Sequence, residues 1–177
     1  REIVPNVNRL AEATRRNGGK VIWIQTHSGP DSLDFWSVYY ERMTPGSSQA
    51  RVDGMSPGGS GFDIWPDLEV RDDDVIVPKT RFSAFMPDPT FFDGILKENG
   101  IDTLLITGVS TCTCCESTAR DGMMLNYRTM MITDGCAAPN DELHNATMNQ
   151  FYLQFGDVQS TDEVIALLDR KLSAAAE

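Results

Sequence analysis

The stretch TLLITGVSTCTCCESTARDGMMLN, residues 103–126, changes its pattern halfway. Residues 103–107 are apolar or β-branched and predict a strand buried in a parallel sheet. A turn over 108–111 follows, and the residues from about Cys114 to Asn126 predict a helix. A thiol therefore lies where a strand ends and a helix begins, and α/β sheets carry their ligand sites at such strand ends.

The same alternation of strand and helix runs through most of the chain. Strands that alternate with helices predict a parallel sheet covered on both faces, with right-handed crossovers. We therefore predict a three-layer α/β/α domain with a mostly parallel sheet. Residues 28–63 interrupt the alternation and are predicted to form a long functional loop that carries an aromatic group. The other predicted strands cover 20–26, 75–77 and 128–132, and the other helices cover 5–17, 89–98, 141–155 and a C-terminal segment with a capping box over 160–163.

Composition narrows the classes of partner. The chain carries 15 Lys and Arg against 26 Asp and Glu, so its formal charge of -11 would repel nucleic acid and anionic lipid. No apolar stretch approaches the roughly 20 residues that span a bilayer. The four cysteines, at 112, 114, 115 and 136, are too clustered for a disulfide framework. We therefore expect a cytoplasmic protein with reduced thiols that binds neither nucleic acid nor membranes.

Lys79 is a second reactive residue at a predicted strand end, since it closely follows the strand 75–77. The carboxyl ends of parallel strands meet at one edge of a sheet, so Lys79 and Cys114 should converge on one crevice. The positive end of a helix macrodipole and a nearby ammonium both favour the thiolate of Cys114. Unpaired N–H groups at the same helix end could hold the oxyanion of a tetrahedral intermediate.

Two motifs carry a resemblance to a known family. Residues 105–122, LITGVSTCTCCESTARDG, resemble the nucleophile motif of the isochorismatase-like cysteine hydrolases, and residues 77–85, VPKTRFSAF, resemble the lysine motif of that family. The resemblance runs from about residue 3 to the end of the chain. In the family the nucleophile stands six residues after the motif glycine, and here that position is Cys114. The other thiols are then expected to be non-catalytic: Cys112, Cys115 and Cys136.

The resemblance implies a catalytic triad of Cys114, Lys79 and an aspartate. It also implies a cis peptide between Val109 and Ser110, with the Ser110 and Cys114 amides as the oxyanion hole. The family aspartate ends the first strand, and no aspartate of this sequence fits that role. We therefore expect one isochorismatase-like domain, residues 1–177, that lacks its N-terminal strand in this sequence.

With the aspartate present, the implied mechanism is attack by the cysteine thiolate on an amide or ureido carbonyl. Ammonia or an amine leaves, and water hydrolyses a thioester-type acyl-enzyme. Residues 79–85 and 114–118 look most like the ureidoacrylate and carbamoyl amidohydrolases of the family. No cofactor is implied, and a homodimer or homotetramer is expected because members commonly assemble in that way.

Substrate-binding residues are predicted from their position near the two motifs. A helix-cap or salt-bridge role stays open for Arg81 and Ser83. An oligomer contact stays open for the aromatic group Phe35, Trp36, Tyr39 and Tyr40, which could otherwise form a lid over the pocket. The predicted substrate-binding residues are His27, Trp36, Tyr39, Arg81 and Ser83.

Other functions stay open as well. A non-catalytic relative would bind a small acid, or scaffold a partner, with the same pocket. A metal-dependent nicotinamidase-like amidase would bind a metal near His27, but the sequence offers no matching second histidine, because His144 is expected on a helix surface. We therefore predict no metal site. Isochorismate-cleaving relatives often lack a cysteine at this position, so Cys114 favours C–N cleavage.

Overall fold

Helices and strands alternate along the computed structural model, which describes residues 2–175. No helix among these residues is both long and apolar enough to cross a membrane. In chain order the elements are α1 (Val4–Arg16), β1 (Ile22–Thr26), α2 (Ser32–Phe35), α3 (Ser37–Tyr40), α4 (Pro45–Gly54), β2 (Val75–Lys79), α5 (Pro89–Glu98), β3 (Thr103–Val109), a π-helix (Thr111–Cys115), α6 (Glu116–Met124), β4 (Arg128–Ala137), α7 (Asp141–Gln154), β5 (Asp157–Gln159) and α8 (Thr161–Ala175).

The strands of the described residues pair in parallel, as predicted. β1 pairs with β2, and β4 lies between β3 and β5. The registers place Thr26 opposite Lys79 in the first ladder and Val109 opposite Ala137 in the second. The strands therefore form two sheets where the sequence predicted one: the first ladder is the two-stranded sheet β1–β2, and the second ladder is the three-stranded sheet β3–β4–β5.

β4 shows the three predicted layers most clearly. Met131 and Ile132 are adjacent and fully buried, and neighbouring residues of a strand face opposite sides of the sheet. Met131 packs in a cluster with Phe151 of α7, whereas Ile132 packs with Leu10 of α1 and Val164 of α8. The sheet thus lies between two helical layers, which confirms the α/β/α prediction.

One apolar cluster joins the two ladders. Phe85 is fully buried and packs together with Val77 of β2, Leu104 of β3 and Leu96 of α5. Both ladders therefore share one core, and this core fixes the end of β2 relative to β3.

Residues 28–63 contain more helix than predicted. α2, α3 and α4 all lie in this stretch. α4 begins at Pro45, and the hydroxyl oxygen of the preceding Thr44 accepts a hydrogen bond from the Ser47 amide at 3.3 Å. A threonine N-cap and a proline in the first turn are ordinary helix start signals. The loop prediction was wrong here because the glycines and serines of the segment obscured those signals.

Two further differences concern the start of one helix and the presence of one short strand. The helix predicted from about Cys114 is preceded by a π-helical turn, so Cys114 lies inside that turn and not at the first residue of a helix. β5 was not predicted, because its three residues are too few to show a strand period.

Candidate active site

The structure brings Lys79 and Cys114 together. The Lys79 ammonium donates a hydrogen bond to Cys114 Sγ over 3.3 Å and another to the Arg81 carbonyl over 2.8 Å. Lys79 is only 6% exposed, and Cys114 is half-buried. A buried ammonium is costly unless it is paired, and the thiol sulfur and the Arg81 carbonyl both pair with it.

Register and backbone pairing place both Lys79 and His27 at the end of the first ladder. Lys79 is the last residue of β2, and its carbonyl oxygen accepts a hydrogen bond from the His27 amide at 2.8 Å. The His27 ring meets the Phe62 ring edge-on, with centroids 5.7 Å apart. His27 therefore lies beside the lysine, where the sequence placed a substrate-binding residue.

An unusual backbone leads from β3 to Cys114. Gly108 has a φ of +121°, which favours glycine, and the peptide bond between Val109 and Ser110 is cis. The Thr113 and Cys115 amides both donate to the Ser110 carbonyl at 3.2 Å, and the Cys114 amide lies between them in the chain. Helix N-termini present N–H groups without intrahelical partners, which suits them to bind an anionic oxygen.

Thr118 connects the cysteine segment to the lysine segment. Its hydroxyl donates to the Cys114 carbonyl at 2.8 Å and accepts from the Ala84 amide at 3.1 Å. Thr118 is buried in α6, and no sequence pattern had singled it out. This bridge fixes the backbone of Cys114 relative to the chain that follows Lys79.

The other cysteines lie in different surroundings. The Cys115 thiol is buried and donates toward the Thr107 carbonyl at 3.7 Å. Its hydrogen bond with Cys136 and its burial raise the pKa of the Cys115 thiol, which keeps that thiol neutral. Cys112 is half-buried, with its sulfur 3.4 Å from the Ser110 hydroxyl.

An aromatic cluster packs against Arg81 and Phe82, which lie on the chain that follows Lys79. Trp36 and Tyr39 stack with centroids 4.3 Å apart, and each meets Phe82 edge-on. The Arg81 guanidinium lies 5.0 Å from the Trp36 centroid and donates to the Phe35 carbonyl at 2.8 Å. The structure thus places Trp36, Tyr39 and Arg81 together, and it adds Phe82, which the sequence had not suggested.

Ser83 has a local backbone contact. It is buried, and its hydroxyl oxygen accepts a hydrogen bond from the Phe85 amide at 3.1 Å. That contact closes a turn and caps no helix, since α5 begins only at Pro89 with Asp88 as its N-cap.

His144 is not a simple surface residue. It is half-buried in α7, and its Nδ1 lies 3.0 Å from the hydroxyl oxygen of Thr111. The two residues are 33 positions apart, so no local pattern could have indicated the contact. Within residues 2–175, no three or more His, Cys, Asp or Glu side chains are grouped so that they could hold a metal ion.

Comparison with known protein families gives a match over most of the chain. The protein-family model of the isochorismatase domain matches residues 1–163. The chain belongs to the isochorismatase family. It is therefore an isochorismatase-family hydrolase, and the family predicted from the two motifs is confirmed.

Relatives within the isochorismatase family cover nearly the whole chain. Ureidoacrylate amidohydrolase RutB of Acinetobacter baylyi is 33% identical over 172 residues, which cover 92% of this chain and 69% of that protein. The uncharacterized isochorismatase family protein YwoC of Bacillus subtilis is 29% identical over 172 residues, covering 93% of this chain and 82% of that protein.

A solved structure supports the fold. The crystal structure of a cysteine hydrolase from Pseudomonas syringae pv. phaseolicola superposes with a TM-score of 0.82 at 24% identity, and the match covers 96% of this chain and 81% of that one. At this identity the likeness shows the fold alone. It confirms the predicted isochorismatase-like fold.

Proposed function

We propose that this isochorismatase-family hydrolase cleaves a C–N bond in a small amide or ureido or carbamoyl compound, with Cys114 as its nucleophile. The observation that carries the proposal is the 3.3 Å hydrogen bond from the buried Lys79 ammonium to Cys114 Sγ. An ammonium at this distance stabilises the thiolate, which is the nucleophilic form of cysteine. The name of the Acinetobacter baylyi relative, ureidoacrylate amidohydrolase, supports a ureide as substrate class.

The proposed reaction proceeds through a covalent intermediate. Cys114 Sγ attacks the carbonyl carbon, and the carbonyl oxygen becomes an oxyanion that the Ser110 and Cys114 amides bind. The C–N bond then breaks, and the nitrogen leaves as ammonia or an amine with the proton that the Cys114 thiol gives up in forming the thiolate. Water attacks the thioester-type acyl-enzyme and releases the acid together with the free thiol. The carboxylate that the family uses as a base is not assigned to any residue of this sequence.

The residues around the pair would hold the substrate. His27 lies next to the Lys79 backbone, and the stacked Trp36 and Tyr39 offer an apolar wall for a planar ureide. Arg81 carries a positive charge beside that wall, which suits a substrate that also bears a carboxylate. Ser83 would act by fixing the backbone near Phe85. These assignments extend the proposal to substrate recognition.

The direct test is ammonia release from a panel of small ureides, N-carbamoyl amino acids and primary amides. We expect turnover of at least one ureide in the presence of EDTA, and a loss of about a thousandfold or more in Cys114→Ala. Cys112→Ser is the matched control, because it replaces another half-buried thiol of the same π-helix, and it should keep activity within about threefold. Chelator-sensitive activity would instead support the metal-dependent alternative. Equal activity of Cys114→Ala and the unmodified protein would refute the proposal.

A further inference from the structure

We propose that His144 is a positioning residue for the segment Ser110–Cys114 and that it acts through Thr111. This inference rests on the proposed function, because that segment would hold the oxyanion and the nucleophile. Its basis is the 3.0 Å contact between His144 Nδ1 and the Thr111 hydroxyl oxygen. Thr111 is fully buried, so the imidazole is the partner of a hydroxyl that has no access to water.

Thr111 occupies the position from which the segment can be fixed. It follows Ser110 directly and opens the π-helix that contains Cys114. Helices are usually anchored at this end by the side chain of the N-cap residue. Here the N-cap residue, Ser110, makes no such side-chain cap, and its hydroxyl lies against Cys112 Sγ instead. The Thr111–His144 contact therefore anchors the start of the π-helix.

His144 lies on α7, a helix that is capped at its start and packed against the core. It lies in the first turn of α7, where the Asn140 side chain accepts a hydrogen bond from the Leu143 amide at 2.9 Å. Further along α7, Met148 and Phe151 are buried in one cluster with Cys115. The helix that carries the imidazole is thus packed against the segment that the imidazole holds.

Removal of the imidazole has a specific physical consequence. It leaves a buried hydroxyl without its partner, and the segment can then shift to recover a hydrogen bond. Oxyanion stabilisation depends on donors about 3 Å from the developing charge, so a small shift of the Ser110 amide slows the chemical step. His144 also lines an open groove of about 370 Å³ along α7. Its replacement by alanine therefore enlarges this groove and creates no closed cavity in the core.

The test compares His144→Ala with His144→Asn in the full-length protein. The asparagine amide offers a donor and an acceptor at about the reach of Nδ1, so it can replace the contact. We expect His144→Ala to lower kcat about tenfold with KM within about twofold, and His144→Asn to recover most of the loss. Thr111→Val should lower kcat similarly, and adding His144→Ala to it should change little more. The control is Asn145→Ala, an exposed neighbour on the same helix, which should leave kcat unchanged.

Hydrogen exchange separates this inference from the proposed function. Peptides covering residues 108–118 should exchange faster in His144→Ala than in the unmodified protein, and His144→Asn should restore protection. If no substrate of the panel is cleaved, the proposed function fails, and exchange alone then decides the positioning role. Unchanged exchange in His144→Ala would overturn the inference. An unchanged kcat, or an asparagine variant as slow as the alanine variant, would also overturn it.

Discussion

Cys114 and Cys115 are neighbours in the sequence but lie in opposite electrostatic surroundings. Cys114 accepts a hydrogen bond from the Lys79 ammonium, whereas Cys115 faces Cys136 and the Thr107 carbonyl in the core. A cation favours a thiolate, and burial beside a second thiol favours the neutral form. The structure therefore distinguishes the surroundings of these two thiols, which the composition of the chain could not do.

Lys79→Met tests the electrostatic part of this distinction. The substitution keeps a long side chain but removes the charge, so the thiolate of Cys114 loses its stabilising partner. We predict that alkylation of Cys114 by iodoacetamide at pH 7 slows by about tenfold or more. Peptide mass spectrometry locates the label and gives the rate.

Lys97→Met is the control for that substitution. The Lys97 side chain is 70% exposed and pairs with Asp93 on α5, away from the cysteine motif in sequence. The Lys97→Met substitution should leave the alkylation rate of Cys114 unchanged. An unchanged rate in Lys79→Met would contradict the role given to the ammonium.

Residue contacts were predictable from the sequence only where topology determines them. The ends of parallel strands meet at one edge, and so the approach of Lys79 to Cys114 could be predicted. The contact between Thr111 and His144 could not, because it depends on how α7 packs against the π-helix. The bridge made by Thr118 depends in the same way on packing between elements.

Asp74 connects α1 and β1 to its own loop near the start of the first ladder. Its carboxylate accepts hydrogen bonds from Arg15 of α1 at 2.5 Å, Trp23 of β1 at 2.7 Å and the Arg71 amide at 2.9 Å. Burial alone would raise the pKa of Asp74, but the hydrogen bonds from Arg15, Arg71 and Trp23 lower it from 3.8 to about 2. The side chain is 2% exposed, so solvent screens these bonds little.

Asp74→Asn should destabilise the fold in a pH-dependent manner. A pKa that is lowered on folding stabilises the protein above the pKa of the unfolded chain, and this stabilisation disappears as the pH falls through the folded value. We predict that the free energy of unfolding falls by about 2 kcal/mol at pH 7. The difference from the unmodified protein should shrink between about pH 4 and pH 2, as measured by urea titrations at each pH.

Asp72→Asn provides the comparison at an exposed position two residues earlier. It should change the free energy of unfolding by less than about 0.5 kcal/mol at any pH. A pH-independent difference for Asp74→Asn would show that the variant acts through packing and not through charge.

Elements with strong local signals were predicted well, and those with weak signals were not. The capping box of α8 is present, since the Ser160 amide donates to the Glu163 carboxylate at 2.8 Å. β5 and the helices between 28 and 63 lacked a long period in the sequence. The π-helix before α6 depends on backbone hydrogen bonds to the Ser110 and Thr111 carbonyls, which no pattern of residues predicts.

At the scale of the whole molecule, the two ladders share the cluster around Phe85. A shared core predicts that the described residues unfold as one cooperative unit, and this prediction tests the single domain expected from the sequence. Trp23 reports on the first ladder, because it lies in β1 and is 8% exposed. In a Trp36→Phe, Trp65→Phe background, Trp23 fluorescence and far-UV circular dichroism should give the same midpoint in urea. An earlier fluorescence transition would show that the β1–β2 ladder unfolds independently.

The fold class followed from alternation of strands and helices, but the division into two ladders did not. Periodicity predicts which residues form strands, and it says nothing about which strands become neighbours. The expected homodimer or homotetramer likewise stays a prediction. Light scattering tests it by comparing the mass in solution with 19.6 kDa for one chain.

The role of Cys114 as the nucleophile is tested most directly by rapid-quench mass spectrometry during turnover of a ureide that the protein cleaves. We expect a transient adduct, equal in mass to the substrate less the departing ammonia or amine, which peptide fragmentation places on Cys114 and not on Cys112 or Cys115. The Cys114→Ser variant should show no such thioester-type adduct and no comparable turnover. Turnover with the adduct on Cys112 or Cys115, or full turnover by the Cys114→Ser variant, would show that Cys114 is not the nucleophile.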